Sequence, residues 1–257
     1  MTDKLPISVF IIAQNEADRI PLTIKSVRDW VDEIIVIDSG STDDTVKVAE
    51  SLGARAVFNE WKGYGPQKVY GETLCRNNWV LNLDADEEIS PELASEIQRE
   101  FKSVPRAAAY TVNFYPIYAH QRSASRWMVH KRAVRLYRRD TAGFKDHAVH
   151  DEVIVNSGSI HHFSKPVMHR SWRSVSHHVD KVNSYSDMQA EELYQRGRTA
   201  NPILMLAIFP LAFLKSYFLR RQFLNGIDGI TVSLIYAMHR YIRQAKLREL
   251  YKKHDTK

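Results

Sequence analysis

Three short apolar runs, at 7–13, 33–38 and 79–83, each close on polar or acidic residues and are separated by stretches that read as helix. A chain built from such units with short connections is expected to form a parallel, doubly wound α/β sheet. The third run is the most pointed. Trp79-Val80-Leu81-Asn82-Leu83 reads as a buried strand and ends in Asp84-Ala85-Asp86-Glu87-Glu88. Open α/β sheets place their ligands at the carboxyl ends of the strands. Asp84 and Asp86 lie two apart, so in extended backbone they share a face while Ala85 points away. Two convergent carboxylates suit a hard divalent cation that also holds phosphate oxygens. The plainer alternative is a solvated strand end leading into a helix at Ser90-Pro91-Glu92, whose first turn favours acids.

A length of 257 residues suffices for one large domain or a domain with an appendage. The single cysteine, Cys75, excludes an internal disulfide and fits a reducing compartment. Met1-Thr2-Asp3-Lys4-Leu5-Pro6 has neither the charged nor the apolar region of a secretory leader, so the expected location is the cytoplasm. The formal charge is +6, with basic residues crowded at 122–139 and 220–257. That excess suits nucleotide phosphates or an anionic membrane face. Nucleic acid is not an expected partner, since no motif of the usual DNA or RNA modules and no stacking platform occurs.

Ile20, Leu22, Ile24, Val27, Trp30 and Val31 read as the buried stripe of the first helix. Ser39-Gly40-Ser41-Thr42-Asp43-Asp44 is turn chemistry with a helix cap, leading to a helix over 45–52, a strand at 55–58 and a helix over 67–75. Beyond about residue 105 the pattern changes to strands that alternate, at 108–114 and 133–138. Val153–Val155 and 159–163 read as a hairpin about Asn156-Ser157-Gly158. From Ser174 the reading is helical, so the expected division is 1–173 and 174–257. Residues 202–219 are apolar except for Lys215 and Ser216, contain Pro210, and precede Arg220-Arg221. A spanning helix needs about 20 apolar residues, so this marginal segment is expected to lie in a membrane interface, with a buried helical hairpin and then a true span as the alternatives.

Three motifs in register now resemble a family. Val9-Phe10-Ile11-Ile12-Ala13-Gln14-Asn15-Glu16, Val36-Ile37-Asp38-Ser39-Gly40-Ser41-Thr42-Asp43 and Leu83-Asp84-Ala85-Asp86-Glu87 are similar to the signatures of family 2 glycosyltransferases with the GT-A fold. His150-Asp151-Glu152, His169-Arg170-Ser171-Trp172-Arg173-Ser174 and the apolar-then-basic tail resemble bacterial lipopolysaccharide inner-core β-1,4-glucosyltransferases of the WaaE/KdtX type. The resemblance implies a GT-A α/β fold, a doubly wound mixed sheet with a helical, amphipathic C-terminal appendage. It implies inverting transfer from a UDP-sugar, UDP-glucose first, to a heptose of the lipid A–core. It also implies a peripheral place on the cytoplasmic face of the bacterial inner membrane.

The same resemblance assigns roles. Asn15, Glu16, Asp38, Lys68 and Asp84 would bind the donor, Asp38 by accepting from the uracil imide. Asn15 could equally cap its loop, and Asp38 could cap the following helix, although Asp43 suits that better. Asp86, with His169 and Asp84, would hold Mg²⁺ or Mn²⁺, which neutralises the departing diphosphate; a lone His is also commonly structural. The base that deprotonates the acceptor would be Asp151 or Glu152. Relatives usually carry Glu directly after the His, whereas here Asp151 stands there and Glu152 follows. Trp127 and Arg135 would contact the acceptor, or else form an exposed basic strand. Arg76 could help with phosphate but reads better as a solvated helix face.

Within the class, the rival is transfer to a polyprenyl phosphate or another polysaccharide acceptor. From another class, a nucleotidyltransferase would want a Gly-rich loop after the first strand, and Ala13-Gln14-Asn15-Glu16 is not one. A phosphatase of the Asp-x-Asp-x-Thr kind would need Thr where Glu88 stands.

Overall fold

In the computed structural model, which describes residues 4–118, 131–145 and 152–255, the apolar runs become neighbouring strands. β1 (Leu5–Ala13) is buried along its last seven residues. Burial on both faces is what a strand inside a helix-covered parallel sheet requires. β1 lies between β2 (Val31–Asp38) and β4 (Trp79–Asp84), parallel to both, and β3 (Arg55–Phe58) extends the sheet beyond β2. Ala13 is in register with Asp38 and Ile12 with Asp84, so three strand ends that carry acids or lead into them share one edge.

The connections are helical: α1 (Ile20–Val27), α2 (Thr45–Ser51), α3 (Tyr64–Leu74) and, after a short β5 (Glu87–Ile89), α4 (Pro91–Glu100). α1 buries Ile20, Thr23, Ile24 and Val27. This corrects the expected stripe: Leu22 faces solvent and Val31 opens β2, because the helix ends a turn earlier than the apolar pattern does.

The second half of the sheet breaks the parallel pattern. β6 (Ala109–Pro116), β7 (Lys131–Arg138) and β10 (Ile160–His169) complete an eight-stranded order β3-β2-β1-β4-β7-β6-β10-β5. β7 is antiparallel to β4 and β6, and β10 is parallel to β6 but antiparallel to β5. The fold is the expected α/β mixed sheet. The hairpin expected about Gly158 does not form. β9 (Val153–Val155) pairs instead with β8 (Ala142–Phe144) in a separate ribbon, while β10 enters the main sheet. Gly158 sits at φ +87°, and a Cβ there would lie 2.5 Å from the Ala108 Cβ. The turn therefore packs over the start of β6, where Ala108 N and Ala109 N both donate to Ser159 O.

Contacts divide the chain into two units, Met1–Ile117 with His130–Ser171 and Tyr118–Val129 with Trp172–Lys257. The second is helical: α5 (Val175–Gln195), α6 (Pro202–Leu214) and the 30-residue α7 (Gly226–Asp255), which packs on both of the others. Ser174 caps α5 through His177 N, and Asn201 caps α6 through Ile203 N and Leu204 N.

Glu100, the last residue of α4, closes the loop into β6. It accepts from Arg106 N (2.9 Å), Arg106 Nη2 (2.6 Å) and Tyr110 Oη (2.6 Å). The Arg106 contact and these hydrogen bonds hold its carboxyl down at about 2, against an ordinary 4.5. A carboxyl depressed in the folded state contributes stability that is complete above its unfolded value and lost as pH falls through the folded one. The acid-unfolding slope of the protein is therefore expected to steepen between about pH 4.5 and 2. Glu100→Gln should be less stable at neutral pH and should lack that part of the slope in urea titrations at stepped pH.

Candidate active site

The edge where β1, β2 and β4 end is organised first by Asp38. Its Oδ2 accepts from Gly40 N (2.9 Å) and Ser41 N (3.0 Å), and its Oδ1 from Ser41 Oγ (2.5 Å). Gly40 takes φ +92°, which lets the chain turn tightly over that carboxylate. Asn15 adopts the left-handed φ of +57° that Asn tolerates better than most residues. Its Oδ1 accepts from Thr42 N (2.8 Å), and its own N donates to Ser41 Oγ (2.9 Å). The loop after β1 is thus fastened to the loop after β2. Gln67, buried on α3, donates to Ser39 Oγ (2.9 Å) and ties the same turn to the next helix.

Beside this cradle lies a compact charge network. Lys68 is fully buried on α3, and its Nζ stands 2.9 Å from Asp84 Oδ1. Arg135, brought in by β7, reaches Asn82 Oδ1 (3.2 Å), Asp84 Oδ2 (3.3 Å) and Glu87 Oε1 (2.6 Å). Glu87 is buried and its Oε2 accepts from Asp84 N (3.1 Å), which sets the turn after β4. Arg19 joins Glu16 through two bonds (2.8 and 2.6 Å), touches Asp86 Oδ2 (3.2 Å) and donates to Arg170 O (3.0 Å). His169, the last residue of β10, places Nε2 3.4 Å from Asp86 Oδ1.

Burial alone would raise the Asp84 carboxyl, but Lys68 and Arg135 overcome it and hold Asp84 well below the usual range. Burial likewise acts upward on Asp86, and the hydrogen bond and charge of His169 bring it below its ordinary value. At Glu87 burial prevails over Arg135 and the carboxyl is raised. Burial presses His169 down, yet Asp86, Glu87 and Asp84 together lift it above its ordinary value. Asp84 and Asp86 are thus favoured as carboxylates by cationic partners built into the fold, whereas burial works against the charge on Glu87.

A cavity of about 250 Å³ opens on this network, lined among others by Asp84, Glu87, Arg132, Arg135, Glu152 and His169. The structure therefore brings Asp84, Glu152, Arg135 and His169 to one space, with Asp86 against His169 and Lys68 against Asp84. Asn15, Glu16 and Asp38 stand along the adjoining strand edge. Asp151 and Trp127 lie outside the described residues. Arg135 is buried among Asn82, Asp84 and Glu87 and lines the cavity, so the alternative of an exposed basic strand does not hold for it. Arg76 pairs with Asp32 (2.9 Å) at the opposite, amino-terminal end of β2. Arg19 and Asn82 carry no distinguishing sequence signal, and Glu87, although inside the acidic motif, has no role assigned from it; the sheet register and the turn after β4 bring the three in.

Among the described residues no three His, Cys, Asp or Glu side chains converge as a metal-binding group. The expected trio of Asp84, Asp86 and His169 is divided, since Asp84 faces Lys68 and Arg135. Asp86 Oδ1 and His169 Nε2 stay adjacent. A carboxylate oxygen beside an imidazole nitrogen is a donor pair chemically compatible with a divalent cation.

The glycosyl transferase family 2 model matches residues 8–168, the strands and loops just described. The chain belongs to glycosyl transferase family 2. It is a glycosyltransferase, and it is 40% identical over 253 residues to a glycosyltransferase of Rickettsia felis, covering 95% of this chain and 89% of that one. It is 26% identical over 270 residues to the lipopolysaccharide core biosynthesis glycosyltransferase LpsC of Rhizobium meliloti, covering 100% of this chain and 96% of that one. Among solved structures, S. aureus TarS 1-349 in complex with UDP is 18% identical at a TM-score of 0.39, covering 48% of this chain. The chain spans 38% of that structure.

In this family 2 glycosyltransferase the Arg135–Glu87 pair is the most enclosed of the network. Removing one partner of a buried pair strands the other charge, at a cost of roughly 3–5 kcal/mol. Arg135→Met should lower the denaturation midpoint accordingly. Arg135→Met with Glu87→Gln should recover part of the loss, as a double-mutant cycle by chemical denaturation would measure.

Proposed function

We propose that this glycosyltransferase is an inverting enzyme that moves a hexose, glucose first among candidates, from a UDP-sugar to a heptose of the lipid A–core. It would act at the cytoplasmic face of the inner membrane. The single observation that carries the reaction type is the cavity itself, which has Asp84 and His169 among its lining and the exposed carboxylate of Glu152 beside them. The likeness to LpsC along the whole chain supports the acceptor class.

In this reading the Asn15–Asp38 cradle receives the nucleoside, and Asp84, kept ionised by Lys68, faces the ribose. Asp86 and His169 would hold Mg²⁺ or Mn²⁺, which when bound supplies Lewis-acid neutralisation of the leaving diphosphate. Arg19 and Arg135 hold the carboxylates in place before any donor arrives. Glu152, or its neighbour Asp151, takes the proton from the acceptor hydroxyl as that oxygen bonds to the anomeric carbon. The bond from that carbon to the UDP oxygen breaks, its electron pair leaves with UDP, and the configuration inverts.

UDP release across a panel of UDP-sugars, with heptose-bearing lipid A–core and with or without EDTA, tests the reading. Release should require donor, acceptor and metal, and should vanish in Asp86→Ala. Loss of the base should lower kcat by about 10²–10⁴-fold, so Glu152→Gln and Asp151→Asn identify which carboxylate serves. Turnover with a polyprenyl phosphate instead, or none on the lipid A–core despite UDP binding, would overturn the acceptor.

A further inference from the structure

The second unit carries an apolar surface that its own packing leaves open. α6 buries a single stripe, Met205, Ile208 and Ala212, and the following π-turn (Lys215–Leu219) continues it with Ser216. The remaining faces are exposed: Ile203 at 78%, Leu206 at 84%, Leu211 at 59% and Leu219 at 75%, with Ile227 at 81% on the first turn of α7. Of the window Pro202–Leu219 only 17% is buried. Monomeric soluble proteins rarely leave contiguous apolar patches beyond roughly 300–600 Å² without a partner.

Along the apolar run and the turn after it the charges are of one sign, and the first carboxylate beyond them is Asp228 on α7. Between Glu192 and Asp228 the chain has no Asp or Glu, whereas Lys215, Arg220 and Arg221 stand at the end of the apolar run. A second copy on this face would set those cations against their own equivalents, since a two-fold interface repeats one patch on itself. An anionic surface would not.

The fold also argues against a crossing helix. α7 packs on both α6 and α5, and it carries Asp228, Arg240 and Arg243. A spanning α6 would draw those charges into hydrocarbon. The chain reverses at Arg221, with φ +56°, and Arg220 lies over the Tyr236 ring at 4.5 Å. Such arginines belong at headgroup depth, with their stems along apolar neighbours.

We infer that α6 and the turn after it form a monotopic docking face that lies flat on an anionic bilayer. Leu206, Leu211 and Leu219 enter the acyl boundary, and Lys215, Arg220 and Arg221 meet lipid phosphates. This inference is independent of which sugar or acceptor the enzyme uses, and its test does not read activity.

Flotation of the full chain decides it, using vesicles of phosphatidylethanolamine with phosphatidylglycerol against vesicles of phosphatidylcholine alone. Binding to the anionic vesicles should exceed binding to the neutral ones by about tenfold or more and should weaken as salt rises. Leu206→Glu with Leu211→Glu, both solvent-facing, should abolish flotation while leaving the far-ultraviolet circular dichroism unchanged. Arg220→Gln with Arg221→Gln should remove the preference for anionic lipid and leave residual binding to neutral vesicles. Four results would overturn the inference. These are failure to float with either vesicle, undiminished flotation of the double glutamate variant, membrane attachment that survives alkaline carbonate, and light scattering that shows a dimer dispersed by Leu206→Glu.

Discussion

Where β4 and β5 meet, Asp86 and Glu87 are buried close to Asp84, which opens on the cavity, and the fold holds the three there by folding three cations in with them. Lys68 comes from a helix, Arg135 from an antiparallel strand and Arg19 from the start of α1. Each long side chain must be desolvated to reach its partner, a cost recovered only with close geometry and further hydrogen bonds. Those are present: Asn82 Oδ1 accepts from Arg135, and Glu16 and the Arg170 carbonyl accept from Arg19. The site is thereby preset. On the proposed reading, a bound diphosphate would meet charges already oriented.

That network explains why the sheet changes direction. The parallel half aligns the ends of β1, β2 and β4, which suffices to build the cradle of Asn15, Asp38 and Asp84. It cannot supply Arg135 or His169. Arg135 arrives on a strand running against β4, and His169 at the end of β10, paired with the short β5 that follows Asp86. The register His169 to Glu87 brings the imidazole beside the Asp86 carboxylate. β5, only three residues long, thus contributes through its position.

The helical unit follows a different logic. Its interior combines buried apolar residues such as Met205, Ile208, Ile235 and Leu247 with small polar contacts, Ser216 with Ser233 at 3.1 Å and Tyr118 with Gln222 at 3.1 Å, while most of the large apolar residues of α6 are turned outward. Burial of an apolar stripe normally stabilises a helix of this length. Here only one narrow stripe serves that end, and most of the rest of α6 is exposed.

Much of this could be read from residues alone. Runs of β-branched and aliphatic residues ending in acids specify buried strands and the edge where ligands sit, because continuous burial and strand-end chemistry are local properties. Asp38, Asp84 and Asp86 were legible for that reason, as were most element boundaries up to α4. The partner of β9 was not legible, since Asn156-Ser157-Gly158 is good turn chemistry for a hairpin and also for the entry to β10. Packing of Gly158 over Ala108 settled it, a contact fifty residues apart in sequence. Leu22 and Arg135 show the same limit. By itself, then, the sequence determined the strand–helix alternation, the acidic strand ends and the apolar C-terminal stretch, all set by short-range pattern. Only the tertiary structure decided that Arg135 faces inward, that Arg19 and Glu87 belong to the site, and that Asp84 pairs with Lys68 and Arg135 while Asp86 pairs with Arg19 and His169. Those choices depend on which distant charges desolvate together, and that energy exists only once the sheet is assembled.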